Sequence, residues 1–274
     1  MKFNFRNTIQ SKYVYVSLIG GFGNNLFQVS LAKKIESIGY NVKFDISIKK
    51  TAHLELYKIP ELQDYVQHRV AKWTRYFPSP IGPRSSLSRF FIRNILGLQP
   101  YIDLTSNGVE PKDFSKGYFL SGYWQNIDNA AFFGNLVFFE RPLNENLISV
   151  HVRRGDMVSN IEVPLDGYYK RAVLKILAEH PDEKFQVNVF TDDLSYCSQN
   201  LDLGCDFEII QGGSTLEDFI GMISSEYLVI SRSTFSWWAG YFSSGFIYYP
   251  VPWSLDQQFS NIDVIPPNWV GVPS

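Results

Sequence analysis

At 274 residues the chain can hold one large α/β domain or two of ordinary size, and it is long enough to bury a substantial core. Hydrophobic residues make up 45% and charged residues 19%, which excludes a disordered chain, while a net charge of -2 and a pI near 6.1 exclude a general nucleic-acid binder. Two cysteines, Cys197 and Cys205, without C-x-x-C spacing exclude a disulfide framework, and the four histidines lie scattered, with no metal-ligating cluster visible.

The amino-terminal residues Met1-Lys-Phe-Asn-Phe-Arg lack the apolar core of a signal peptide, and no stretch approaches the ~20 apolar residues that cross a bilayer. A soluble, cytoplasmic protein in a reducing compartment is expected.

In chain order, Tyr13 to Ile19 reads as a strand, Gly20-Gly-Phe-Gly-Asn-Asn25 as a tight loop and Leu26 to Ile38 as an amphipathic helix ended by Gly39. Val42 to Ile46 is the next strand. This order is a βαβ unit of nucleotide-binding type, with Leu26 in place of the third glycine of G-x-G-x-x-G. The same glycines would equally serve close strand-to-helix packing.

Residues 65–102 contain no acidic side chain, yet they carry Arg69, Lys72, Arg75, Arg84, Arg89 and Arg93 among aromatic residues, and prolines at 78, 80 and 83 divide the stretch into two short segments. Two readings stay open. The stretch is either a partly helical excursion whose charges are simply solvated, or a surface for an anionic or lipid-linked acceptor or an anionic membrane. Phe119 to Trp124 reads as a strand with Gly122-Tyr-Trp-Gln125 at its end, where Trp124 and Gln125 would stack on and hydrogen-bond an acceptor sugar, or Trp124 would be core. A domain boundary is expected between 141 and 146, giving an amino-terminal domain 1–143 and a carboxyl-terminal domain 144–274.

Leu147 to Val152 is a β-branched, apolar run that stops abruptly at His151-Val-Arg-Arg-Gly-Asp156, so the charge sits at a strand's carboxyl end. Successive residues of a strand point to opposite faces, so His151 and Arg153 share one direction and Arg154 takes the other. Only one arginine should face a given ligand. Beyond it, Tyr168 to His180 reads as a helix stopped by Pro181, Phe185 to Phe190 as a strand ending in Thr191-Asp-Asp193, and Phe207 to Ile210 as a short strand. Ser214-Thr-Leu-Glu217 is a capping box that opens a helix through Ser224. The strand Tyr227 to Ile230, the loop Ser231-Arg-Ser-Thr-Phe-Ser236, the helix Trp237 to Phe242 and the strand Phe246 to Tyr249, closed by Pro250, complete the alternation. Repeated β-α-β units predict an α/β fold with a parallel, doubly wound sheet.

Three strand tips are thus expected to meet in one crevice: Arg153 with Asp156, Asp192 with Asp193, and the loop that holds Arg232, Ser233, Thr234, Phe235 and Ser236. A helix amino end with hydroxyls beside it and an arginine fork opposite suits a diphosphate. A carboxylate on a neighbouring tip suits ribose hydroxyls or a guanine N–H edge. Taken singly, each has a structural use: surface ion pair, turn residue, helix cap. No metal is required, since the cradle already has cationic partners.

Five segments in this order, Gly20-Gly-Phe-Gly-Asn-Asn-Leu-Phe-Gln28, Gly122-Tyr-Trp-Gln125, His151-Val-Arg-Arg-Gly-Asp156, Phe190-Thr-Asp-Asp193, and Glu217-Asp218 with Ser233-Thr-Phe-Ser-Trp-Trp238, resemble the α-1,2-fucosyltransferases of glycosyltransferase family 11, of bacterial type. The resemblance implies a GT-B architecture of two Rossmann-like domains, GDP-β-L-fucose as donor substrate, inversion at the anomeric carbon, a (β-galactoside) glycan acceptor on the amino-terminal domain, and neither metal nor cofactor. It assigns Arg153 to the β-phosphate, Arg154 to support or the second phosphate, His151 to orienting the loop, Asp192 and Asp193 to the nucleoside side, and the 233–236 loop to diphosphate and fucose. Gly21 and Asn24 join the donor contacts, and Asp156 is the candidate base or a turn residue that positions Arg153. The Trp237-Trp238 pair is expected in the core. Three positions depart from the family's usual residues: Arg232 for Asn, Asn25 for Gln and Tyr227 for His. Arg232 would add a cation beside the cradle, tightening donor binding or marking another nucleotide sugar. The competing readings are that other donor on the same fold, or a non-catalytic nucleotide- or sugar-binding protein.

Overall fold

A computed structural model of the protein describes residues 13–47, 51–76, 85–103, 113–115, 117–134, 142–154, 165–254 and 264–274. The chain divides into two compact units, Met1–Phe138 with Asn261–Val264 and Phe139–Ser260 with Ile265–Ser274.

In the first unit β1 (Tyr13–Ser17), α1 (Phe22–Ser37) and β2 (Asn41–Asp45) form the expected βαβ unit. After a 3-10 turn at Thr51–Lys58 come α2 (Pro60–Gln67), a second 3-10 turn at Lys72–Tyr76, α3 (Ser85–Asn94), β3 (Gln99–Asp103), β4 (Tyr118–Gly122) and α4 (Ile127–Ala130). The sheet is parallel throughout, in the order β2-β1-β4-β3. The glycine loop is shorter than the sequence suggests. Gly20 turns the chain at φ 75, extended Gly21 caps the helix, and α1 already begins at Phe22. A Cβ on Gly20 would come within 2.5 Å of the Asn24 side-chain nitrogen, so only glycine fits there. Nor is α1 a one-sided amphipath: Phe22, Leu26, Phe27, Val29, Leu31 and Ile35 are buried around several of its faces.

The second unit carries β5 (Asn144–Val152), α5 (Asp166–Glu179), β6 (Gln186–Thr191), α6 (Leu194–Asn200), β7 (Glu208–Ile209), α7 (Thr215–Ile223), β8 (Ser225–Val229), α8 (Thr234–Phe242), β9 (Phe246–Val251) and β10 (Val270–Pro273). Its parallel sheet runs β10-β9-β8-β5-β6-β7. Counting its six strands from β5, this is the Rossmann order, 3-2-1-4-5-6 read from β7, and strand order reverses between β5 and β8. Alternation along β5 assigns the two faces. Ile148, Val150 and Val152 pack with Tyr168, Val173 and Ile176 of α5, while His151 of the opposite face meets Phe235 of α8. Helices therefore cover both sides, and the sheet is doubly wound.

The capping box forms as the sequence foretells: the Ser214 hydroxyl accepts from the Glu217 N–H, and the Glu217 carboxylate accepts from the Ser214 N–H at 2.6 Å. Strand β9 runs through Pro250 instead of stopping before it. At that height its partner is β10, paired Pro250 with Val272, whereas the register with β8 has ended at Tyr248, so the missing N–H breaks no bond to β8.

Candidate functional site

In the second unit β5 and β8 pair side by side, and beyond their paired residues a side-chain contact spans the switch point. The His151 ring Nδ1 lies 2.8 Å from the Ser231 hydroxyl, which in turn sits 3.3 Å from the Ser236 hydroxyl. Burial holds the His151 imidazole neutral, lowering its pKa from 6.5 to about 4; the Asp192 charge opposes that shift and Arg153 adds to it. A folded pKa below the unfolded one means that the unfolded chain binds the extra proton first. The stability tied to neutral His151 is therefore complete above pH 6.5 and drains away as pH falls toward 4, with charging costing roughly 3 kcal/mol in all. His151→Asn, which keeps a polar group toward Ser231 without a titration, is expected to lose less stability between pH 7 and pH 5 than the unaltered protein, as read from urea midpoints at the two pH values.

The two arginines part as alternation requires. Arg153 Nη1 lies 2.8 Å from Asp192 Oδ2, and the other Asp192 oxygen accepts the Arg154 backbone N–H at 2.8 Å. Arg154 turns to α6, where its guanidinium carbon lies 3.2 Å from the centre of the Tyr196 ring and its Nε 3.5 Å from Asp193. Asp193 also caps α6, accepting from the Tyr196 N–H at 3.0 Å. Asp192, expected on the nucleoside side of the donor, thus braces the arginine tip with both of its oxygens. Tyr196 had no place among the sequence-derived candidates. Its signal was an aromatic residue one helical turn beyond an acidic strand tip.

The loop after β8 delivers the amino end of the nine-residue α8. Ser233 caps it, accepting from the Phe235 N–H at 3.2 Å, and Thr234 and Phe235 are half-buried beside it. Ser236 is fully buried, and its hydroxyl donates back to the Ser231 and Ser233 carbonyls, so it locks the loop from within rather than lining its mouth. Arg232, expected as an added cation beside the cradle, is buried at the same loop. Its Nε and Nη2 donate to the Pro252 carbonyl at 3.1 and 3.0 Å, and Nη2 also donates to the Ser274 hydroxyl at 2.8 Å. These bonds tie the loop to the strand-end segment beyond β9, a fork-shaped task that suits a guanidinium. The departure at Tyr227 sits toward the starts of the strands, where the phenol lies 2.9 Å from His180 Nε2. Asp156 lies outside the described residues.

In the first unit the glycine turn is held by amides. Gln28 accepts from the Ile19 N–H and donates to the Ile19 and Gly122 carbonyls, joining the tips of β1 and β4, and Asn25 donates to Ile19 and to Gln28. Beside Gly21, Asn24 accepts from the Gln125 amide at 2.9 Å. Trp124 is wholly buried in a left-handed turn at φ 57 and stacks on Tyr101. It is core, and it cannot serve as a sugar platform; Gln125, half-buried at the tip of β4, stays at the surface of the unit.

The model of glycosyltransferase family 11 matches residues 79–273. The chain belongs to that family. It is a glycosyltransferase, which sets aside the non-catalytic reading. It is 25% identical over 94% of its length to an α-1,2-colitosyltransferase of Escherichia coli, of which it covers 98%. It is 26% identical over 46% of its length to the galactoside α-(1,2)-fucosyltransferase 1 of Rattus norvegicus, of which the match covers 37%. Among solved structures it resembles the fucosyltransferase NodZ from Bradyrhizobium, at 15% identity and a TM-score of 0.51 over 85% of this chain and 94% of that one. The architecture is GT-B, two Rossmann-like units each built on a parallel sheet.

Proposed function

We propose that this family 11 enzyme transfers L-fucose from GDP-β-L-fucose to the 2-hydroxyl of a β-galactoside glycan, with inversion and without a metal, in the cytoplasm. The observation that carries the reading is the guanidinium of Arg153, held by Asp192 at the switch point of a Rossmann sheet whose neighbouring strand tip leads into the amino end of α8. In the single displacement the acceptor oxygen bonds to the anomeric carbon as the bond from that carbon to the diphosphate oxygen breaks, and GDP leaves with the electron pair. Arg153 and the positive end of α8 stabilise the charge gathering on the diphosphate. Arg154, Asp193 and His151 position that arrangement. The hydroxyl's proton passes to a carboxylate, for which Asp156 is the candidate.

A second donor is favoured by one comparison, the colitosyltransferase matched along nearly its whole length. A colitosyl group is a fucosyl group without its 3-hydroxyl, so the same cradle would serve both. The first test is a thermal-shift panel of GDP, UDP and CMP. Stabilisation by GDP alone is expected, about 2.7 kcal/mol at a hundredfold excess over Kd. Absence of a GDP shift at saturation overturns the donor class. GDP release in the presence of galactosides, compared between fucosyl and colitosyl donors, then decides the sugar.

A further inference from the structure

We infer that the α3 region of the first unit is a docking surface for an anionic lipid bilayer, a partner that the transfer reaction neither requires nor predicts. Helix α3 turns Ser88 and Ile92 into the core, where Ile92 joins Tyr15, Ala71, Leu98 and Phe119. At 3.6 residues per turn the side opposite those two is centred on Phe90, with Leu87 on one flank and Arg89 and Arg93 on the other. Phe90 is 61% and Leu87 65% exposed, and Ile95 just past the helix is 54% exposed. The preceding 3-10 turn is pinned to the same apolar cluster through Trp73 and presents Lys72, Arg75 and an 86% exposed Tyr76.

An outward phenylalanine flanked by leucine and arginines gains nothing from water. It gains where apolar side chains enter the acyl boundary and guanidinium groups meet lipid phosphates. The charge pattern names the occupant: Lys72, Arg75, Arg89 and Arg93 stand around this face within residues 65–102, a stretch without an acidic residue in a chain whose net charge is -2, while Arg69 of the same stretch is paired with Glu36. Such a block is complementary to a negatively charged leaflet and poorly suited to pairing with a second copy of itself, since like charges would face each other. No helix among the described residues is long and apolar enough to cross a membrane, so the contact is peripheral.

The test is co-sedimentation of the full chain with vesicles of phosphatidylcholine alone and of phosphatidylcholine mixed with phosphatidylglycerol. Binding to the mixed vesicles only, weakening as salt rises, is expected. Leu87→Ser with Phe90→Ser, and separately Arg89→Gln with Arg93→Gln, should each lower the partition coefficient, the arginine pair by roughly 30-fold at low salt given the contribution of each basic residue near such a surface. Leu174→Ser, an exposed apolar side chain of the second unit, should leave it unchanged. All three variants alter surface positions, and their unfolding midpoints verify that they fold. The inference is overturned if the chain ignores the mixed vesicles, if neither double variant changes the partition, or if light scattering shows that Leu87 and Phe90 instead hold two copies together. None of these outcomes depends on the sugar donor.

Discussion

Arg153→Ala is expected to lower kcat/KM about 10²- to 10³-fold while leaving the fold intact, because in the proposed function it removes one preorganised positive donor to the leaving diphosphate. Arg154→Ala is expected to behave differently. Its guanidinium lies against the Tyr196 ring and beside Asp193, so its loss should cost about 1 kcal/mol of stability and less than tenfold in activity. Steady-state kinetics paired with urea denaturation of both variants makes the distinction. If Arg154→Ala folds normally yet is as inactive as Arg153→Ala, the division of labour is wrong. The Asp192 brace adds a refinement. It offsets the Arg153 charge and fixes where that charge points, so on the proposed function an incoming diphosphate would meet an arginine already aimed, with part of the ordering cost met at folding.

How far this site could be read from the sequence depends on how local each cause is. The β5 tip was legible because alternation along a strand is local: it set Val152 inward and sent Arg153 and Arg154 to different neighbours. The capping box at Ser214 and the helix ended before Gly39 were legible for the same reason, as was the doubly wound alternation of the second unit. Trp124 was not. Its burial follows from a left-handed turn at a non-glycine residue, which nothing in Gly122-Tyr-Trp-Gln125 announces. The roles of Asp192 and Arg232 were hidden because their partners lie 38 and 20 to 42 positions away, on other strand ends. Strands β3 and β10 escaped notice because prolines and glycines interrupt them, and they are tolerated because each lies at an edge of its sheet.

The Trp237-Trp238 pair offers the sharpest test of packing against recognition. Both rings are fully buried; Trp237 stacks on Tyr241 at 5.1 Å and tilts against Trp269, while Trp238 stacks on Phe242 at 5.3 Å. The two stacks run along α8 itself, four residues apart, while the Trp269 contact ties the helix to the segment just before β10; the burial of both rings anchors α8, which carries at its amino end the dipole assigned to the diphosphate. Trp238→Ala is therefore expected to cost about 3–5 kcal/mol, the usual range for emptying a buried tryptophan site, and Trp238→Phe considerably less. Donor affinity should fall along with stability in the alanine variant, because a loosened helix no longer holds its amino end in place. A sugar platform would behave in the opposite way, with an unchanged urea midpoint and a raised KM for the acceptor. Measuring the two together separates a helix that binds because it is well packed from one that binds through the packed residues themselves.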